Sequence, residues 1–490
     1  MAPALLLSIV FGYFLLLLGI AWYTSRGAGE HAFYSGERKS LWYVVAFGMI
    51  GTSLSGVTFI SVPGQVQLKG WTYFQLVLGF AIGYWIVAGV LLPLYYRLKL
   101  TSIYGYLRER FGLTSYRTGA SFFILSRLAG ATIRIYVVLN VIQLFVLDAL
   151  HVPFEVTAFV VMLMIVGYTL KGGVKTIVWT DTLQTLFMLG ALVGTIVFIT
   201  SSTDMADWRG ALGASGMTRI VETDWRSDGF FLKQVLAGIF ITIAMTGLDQ
   251  EMMQKNLSVA TVEGSKRNMR TFSVILLGVN LLFLLLGALL YLFIYTGRFG
   301  TVLPMRPDEV FPTMALHYFP PWLGLLFIIG LISALFPSAD GALTALTAST
   351  CIDLIGIRDR GWNEAQQKRV RQRVHLLMAL VFLGFILYFH WLSSPTVIKT
   401  LFDIAGFTYG PLLGLFAYGI FFKGRPKEAL VPVICIAAPV ITYVLRANSE
   451  RWLFGYKMGF EVLLVVAGLT MLGLALARQR EMASSNTAAR

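Results

Sequence analysis

GMIGTSLSGVTFISVPG, residues 48–64, falls where a membrane-length segment should be uniformly apolar, and it is not. It holds four glycines, three serines, two threonines and a proline. Hydrocarbon cannot hydrogen-bond a peptide group, so backbone leaves the helix at membrane depth only where protein or a water-filled cavity surrounds it. Unwinding near Gly51 to Gly56 would free carbonyls for a cation and hydroxyls for a solute. Close packing of helices through small residues is the competing explanation. A matching interruption later in the chain favours unwinding. Residues 239–254, IFITIAMTGLDQEMMQ, provide it, with Thr242, Thr246, Gly247, Asp249 and Gln250 in an otherwise apolar run. Asp249 also reads as the cap of a helix restarting after a break.

Working outward, the 490 residues are 57% hydrophobic and 13% charged, with mean hydropathy +0.73, which excludes ordinary soluble composition. A bilayer core of about 30 Å takes about 20 apolar residues of helix. About thirteen stretches meet that test, which predicts an all-α polytopic membrane protein. A first helix over 4–25 precedes a block over 42–200, a second block over 231–422, and closing helices over 428–446 and 455–477. Each block holds five expected spans, the first block's including 152–170 and 176–200, and opens on one interrupted segment. An odd number of spans makes the second block cross in the opposite sense, giving a 5+5 inverted repeat. We therefore expect one transporter domain over 1–480 and a disordered cytoplasmic tail over 481–490.

The formal charge of +14 would suggest nucleic acid in a soluble chain. Here 26 of the 39 basic residues, Lys255 among them, fall in connections on one side of the membrane. By the positive-inside rule that side is cytoplasmic, with the N-terminus outside and the C-terminus inside. The expectation is a multi-pass protein of the cell (plasma or inner) membrane whose basic loops meet lipid, with no nucleic-acid partner. Five histidines and Cys351 and Cys435 form no metal-ligating spacing, so no transition metal is expected. Nor is there a P-loop to drive an ATP-hydrolysing pump.

A charge at the bilayer centre costs about 2.5–3.5 kcal/mol or more on insertion scales, so each needs a partner or a task. Asp340 lies in SALFPSADGALTALTAST, residues 333–350, among hydroxyls and carbonyls suited to Na⁺ or a proton. Asp181 lies in VWTDTLQT, residues 178–185, where a pair with Arg127 or Arg134 competes with a cation role. The two arginines, seven apart, share one helix face, and Arg134 could hold a substrate carboxylate bidentately. Asp403 reads as a partner of Lys399, four residues before it.

Together these stretches resemble the sodium:solute symporter family, which includes sodium-coupled sugar, proline and sialic-acid transporters of the LeuT-type fold. The resemblance is carried by GTSLSGVTFISVPG from Gly51, SIYGYLRERFG from Ser102 and GGVKTIVWTDTLQ from Gly172. It continues in GLDQEMMQKNL from Gly247, PSADGALTALTASTCIDL from Pro337 and GFTYGPLLGLFAYGIFFK from Gly406. It implies a main sodium site of the carbonyls of Gly51, Leu54 and Ala334 and the hydroxyl of Ser338. A further family hydroxyl falls on Pro337, which has none. A second cation site would use Asp181, Ser338, Asp340 and Gly341, the two aspartates sharing a proton as the alternative. The solute pocket would use Ser53, Ser55, Thr58, Tyr73, Gln75, Arg134, Thr242 and Met245. Thr58 and Thr242 stand where some relatives carry sugar-binding amides, which disfavours a hexose.

The expected function is a sodium-coupled symporter, monomeric or weakly oligomeric, importing a small polar solute, an organic anion or sugar derivative, with one or two Na⁺ and H⁺ as the alternative ion. Two sodium ions crossing 100 mV supply about 2 × 2.3 kcal/mol, about a thousandfold accumulation. A membrane sensor would need a soluble module, for which the 13 residues after Ala477 are too few. An intramembrane enzyme would need a nucleophile or metal beside Asp181 and Asp340.

Overall fold

The computed structural model describes residues 3–24, 40–296, 306–392 and 397–479, with backbone alone for 3–7, 171–175 and 397–399. Every named element among them is helical. We number the main helices α1 (Pro3–Thr24), α2 (Trp42–Ser53), α3 (Gly56–Gly64) and α4 (Tyr73–Arg97). Next come α5 (Leu113–Leu150), α6 (Phe154–Leu170), α7 (Thr176–Ser201), α8 (Phe231–Gly247) and α9 (Gln250–Leu257). The remainder are α10 (Val262–Tyr295), α11 (Pro321–Ile355), α12 (Glu364–Leu392), α13 (Val397–Phe421), α14 (Val431–Ala447) and α15 (Val462–Leu476). Among the described residues, eight helices are long and apolar enough to cross a bilayer, ten if each of two bent pairs is one span. Three shorter apolar helices, Ser8–Thr24, α6 and α15, lie where other spans were expected.

The two bent pairs are the two interrupted sequences. α2 and α3 meet at 57°, α8 and α9 at 67°. At the first break Leu54 and Ser55 are extended, so the ladder stops with Leu54 N donating to Ile50 O and resumes with Phe59 N donating to Ser55 O. The carbonyls from Gly51 to Leu54 are left outside it. Gly56 restarts the helix against α5, where a Cβ would meet Val138 Cγ2 at 2.0 Å. Gly56→Val is expected to cost about 1–3 kcal/mol by overpacking. A lowered midpoint in thermal denaturation of the detergent-solubilised protein reads it.

α8 ends in a π-turn over Ile243–Gly247 and breaks at Leu248. Two phenols satisfy that break: Tyr95 donates to Gly247 O at 2.8 Å and Tyr104 to Leu248 O at 2.9 Å. Asp249 caps α9 by accepting from Met252 N, as expected.

α11 is central. In its most apolar stretch 78% of residues are buried, against 22% in α14, which belongs to the periphery. The gap expected between 170 and 176 is not a break in backbone bonding: helical hydrogen bonds continue from Phe154 to Ser201. Gly172 and Gly173 lack side chains but retain their N–H groups, so they weaken helix propensity without interrupting the ladder. The expected tail over 481–490 lies outside the described residues, as do Arg26, Arg38 and Lys39.

Candidate functional site

Behind the first break lies a cavity with about 90 Å³ of room for the centre of a water-sized sphere, enough for several waters or a small solute. Seven of the eight expected solute residues line it: Ser53, Ser55, Thr58, Tyr73, Arg134, Thr242 and Met245. The eighth, Gln75, does not. Its side chain donates to Thr72 O and Gly229 O and accepts from Glu222 N, fastening the connection before α8 to α4. These three hydrogen bonds, and not the cavity, fix where the Gln75 amide points. Gln75 instead borders a neighbouring cavity, which shares Val62 and Tyr73 with the first. Phe402 and Phe460, with ring centroids 5.0 Å apart, also stand between the two. Phe80, Tyr84, Arg127 and Thr246 line the first cavity as well and were not anticipated.

The candidate cation positions lie where α2, α7 and α11 meet. α7 grips the break with residues one turn apart: Thr185 Oγ1 accepts from Gly51 N at 2.9 Å, and Asp181 Oδ2 accepts from Thr52 Oγ1 at 2.9 Å. Ala334 and Ser338, one turn apart on α11, are both buried, and Ser338 Oγ has no hydrogen-bond partner. Pro337, inside the same helix, cannot donate to the Ser333 carbonyl, which frees an oxygen next to Ala334 in the chain. That offers a physical substitute for the hydroxyl that Pro337 lacks. Asp340 Oδ2 accepts from Tyr168 at 2.8 Å, and its electrostatic neighbours include Asp181, Lys255 and Glu251. Gly341 presents a bare backbone to α9, where a Cβ would lie 2.1 Å from Glu251 Oε1.

Asp181 does not pair with Arg127 or Arg134. Its Oδ2 accepts from Lys255 Nζ at 2.7 Å, and its Oδ1 has no partner. Lys255, counted among the loop cations, is 3% exposed: the break at Leu248 turns α9 inward, and the ammonium with it. Arg127 is turned instead to Glu251 and, at 3.7 Å, to Asp249. Glu251 and Lys255 are one turn apart and bonded at 3.0 Å. The signal for them was present in GLDQEMMQKNL, where Glu251 and Lys255 have i,i+4 spacing directly after a helix cap. Asp403 pairs with Arg446 at 2.8 and 2.9 Å, since α14 brings a guanidinium fork to both its oxygens. The side chain of Lys399, its expected partner, lies outside the described residues.

Two broken helices, one exposing carbonyls beside buried carboxylates and hydroxyls, with a polar cavity between them, define a secondary transporter that couples a cation to a solute. The sodium:solute symporter family model matches residues 33–428, and the chain belongs to that family: it is a sodium-coupled symporter of a small solute. It is 23% identical over 487 residues to the sodium/sialic acid symporter of Proteus mirabilis, covering 94% of this chain and 93% of that protein. It is 25% identical to sodium-coupled monocarboxylate transporter 1 of Xenopus laevis, covering 84% of this chain and 67% of that protein. Among solved structures, the substrate-bound outward-open state of a Na⁺-coupled sialic acid symporter superposes with TM-score 0.81 over 96% of this chain and 97% of the other, at 19% identity. The fold is thus the inverted-repeat transporter fold.

Proposed function

We propose that the protein imports a small organic anion, a monocarboxylate or acidic sugar derivative, together with sodium. Arg134 carries this reading. It lines the cavity, its Nε has no hydrogen-bond partner, and no acidic side chain pairs with it among the described residues. Ser53, Ser55, Thr58 and Thr242 add hydroxyls around it. The names of the sialic acid and monocarboxylate relatives point to the same chemistry.

The main sodium ion takes the carbonyls of Gly51, Leu54 and Ala334 and the hydroxyl of Ser338, with the carbonyl freed by Pro337 nearby. A second takes Asp181 and Asp340, with Ser338 and the backbone at Gly341. The chain then works as one domain over 1–480, monomeric or weakly oligomeric in the lipid bilayer, with the N-terminus outside, the C-terminus cytoplasmic and inverted repeats over 42–200 and 231–422. No catalytic residue is required, so the protein is not an enzyme. Two sodium ions carried with one anion move one net charge, and 100 mV then contributes about 2.3 kcal/mol, roughly forty-fold accumulation before the sodium gradient is added.

One observation favours a proton in place of the second sodium: among the described residues the buried Asp340 forms no ion pair, and two carboxylates, Asp181 and Glu251, are among its electrostatic neighbours. Uptake of labelled sialic acid, monocarboxylates, amino acids and sugars into proteoliposomes, under separately imposed Na⁺ and H⁺ gradients, tests both ideas. Na⁺-driven, electrogenic uptake of anions alone is the expected result. Uptake restricted to neutral sugars would overturn the anion reading. Asp340→Ser should weaken the second-ion dependence by roughly tenfold or more, the worth of a charged ligand, without preventing assembly. Unchanged dependence on both ions would remove Asp340 from the site.

A further inference from the structure

The buried charges between the two halves of the site form an ordered chain. Asp249, Arg127, Glu251, Lys255 and Asp181 alternate in sign, and each lies within ion-pair distance of the next. All five side chains are at most 4% exposed. Next to its Asp249 end it reaches the cavity, since Arg127 lines that cavity alongside Arg134. The other end is Asp181, whose free Oδ1 and the unpartnered Ser338 Oγ mark the candidate second cation position. Glu251 is shared at the centre, one oxygen toward Arg127 and the other toward Lys255.

Three acids against two bases leave this chain one negative charge in excess. A monovalent cation at Asp181 completes it. Lys255 can serve either neighbour: its ammonium is a rotatable point charge on a flexible stem, and Glu251 is one turn away on the same helix, so the exchange needs no backbone movement. Gly341 leaves the room in which the Glu251 carboxylate sits.

We propose that this chain is the coupling relay between cation and solute, with Lys255 as its movable element. Sodium at Asp181 competes with the ammonium for the carboxylate. Lys255 then shifts its weight onto Glu251, Glu251 loosens its hold on Arg127, and the guanidinium turns toward the cavity to join Arg134 in holding the anion. Linkage makes the effect reciprocal, so the anion at Arg127 strengthens sodium binding. Lys255 and Glu251 are positioning residues here, touching neither solute nor sodium. The inference rests on the assignment of cavity and cation position given above.

A thiol placed in the cavity wall by Met245→Cys reports the relay without any solute, and the native Cys351 and Cys435 are both buried. Alkylation by a small maleimide is followed in sodium and in choline medium, while ²²Na⁺ binding is measured on the same protein. With Lys255 intact, sodium should change the alkylation rate roughly five-fold or more, the lower range of ordinary coupling. With Lys255→Met added, ²²Na⁺ should still bind and the rate response should vanish; Lys255→Arg, which keeps a cation there, should restore it. Lys255→Met with Glu251→Gln preserves the net charge and serves if the single change does not fold, with the same loss expected. An equal sodium response with and without Lys255, or none in the parent, overturns the relay. Absence of anion uptake alongside a Lys255-dependent response would instead overturn the solute assignment and leave the relay standing.

Discussion

Arg134→Gln is expected to abolish most anion uptake at solute concentrations that nearly saturate the parent. Removing a buried guanidinium from a carboxylate costs roughly 2–5 kcal/mol, much of it the penalty of leaving the other charge unpaired. At about 1.4 kcal/mol per decade that is a loss of about thirty-fold or more in solute affinity. Because Arg134 has no acidic partner among the described residues, its removal strands no carboxylate in the protein, and assembly should be preserved. Concentration dependence of uptake in proteoliposomes, together with ²²Na⁺ binding, separates the outcomes. The half-saturating solute concentration should rise while solute-free sodium binding stays near the parental value. A parental solute affinity would show that the anion is held elsewhere, with Arg127 the next candidate.

Glu251→Ala should be the most damaging single change to stability. The carboxylate is 2% exposed and holds Arg127 on one side and Lys255 on the other. Breaking a buried pair from one side costs about 3–5 kcal/mol, because the remaining charge is neither solvated nor matched. Here two cations lose their shared partner, though Asp249 and Asp181 still offset part of the loss. Set against a typical stability of about 5–15 kcal/mol, this predicts a protein that reaches the membrane at low level and denatures early in detergent. Glu251→Gln should be milder, since the amide can accept from one cation. Near-parental thermal stability of Glu251→Ala would mean that water enters the cluster and screens it.

The excess of negative charge along the relay also bears on why both cations are held so firmly away from lipid. Lys255 reaches the interior because α9 turns inward after the break at Leu248, Arg127 is carried there by α5, and both are stable there because carboxylates from α7 and α9 meet them. The break at Leu54 thus leaves the carbonyls, while the break at Leu248, whose own carbonyls Tyr95 and Tyr104 satisfy, delivers Glu251 and Lys255, the charges that we propose to couple the site.

The chain by itself determined that lipid is the solvent, that the elements are helices and where two of them break. These are local properties: hydropathy over about 20 residues names the solvent, and glycines and hydroxyls at Gly51 to Gly56 and polar residues at Thr246 to Gln250 forecast interruptions at those places. Arg134 apart, the residues proposed for the solute were legible only through the family resemblance, and the structure gathers Ser53, Ser55, Thr58, Tyr73, Arg134, Thr242 and Met245 around one cavity. Gln75 was misread because a turn's face is decided by the connection it fastens, 147 residues away at Glu222. Lys255 was misread because its position counts as loop or interior according to which way α9 turns after the break. The partners of Asp181, Arg127 and Asp403 required the tertiary structure, since they lie 74, 124 and 43 residues away in the chain. Charges attract through space without regard to sequence separation, and only the packing of α5, α7, α9 and α11 determines which of them meet.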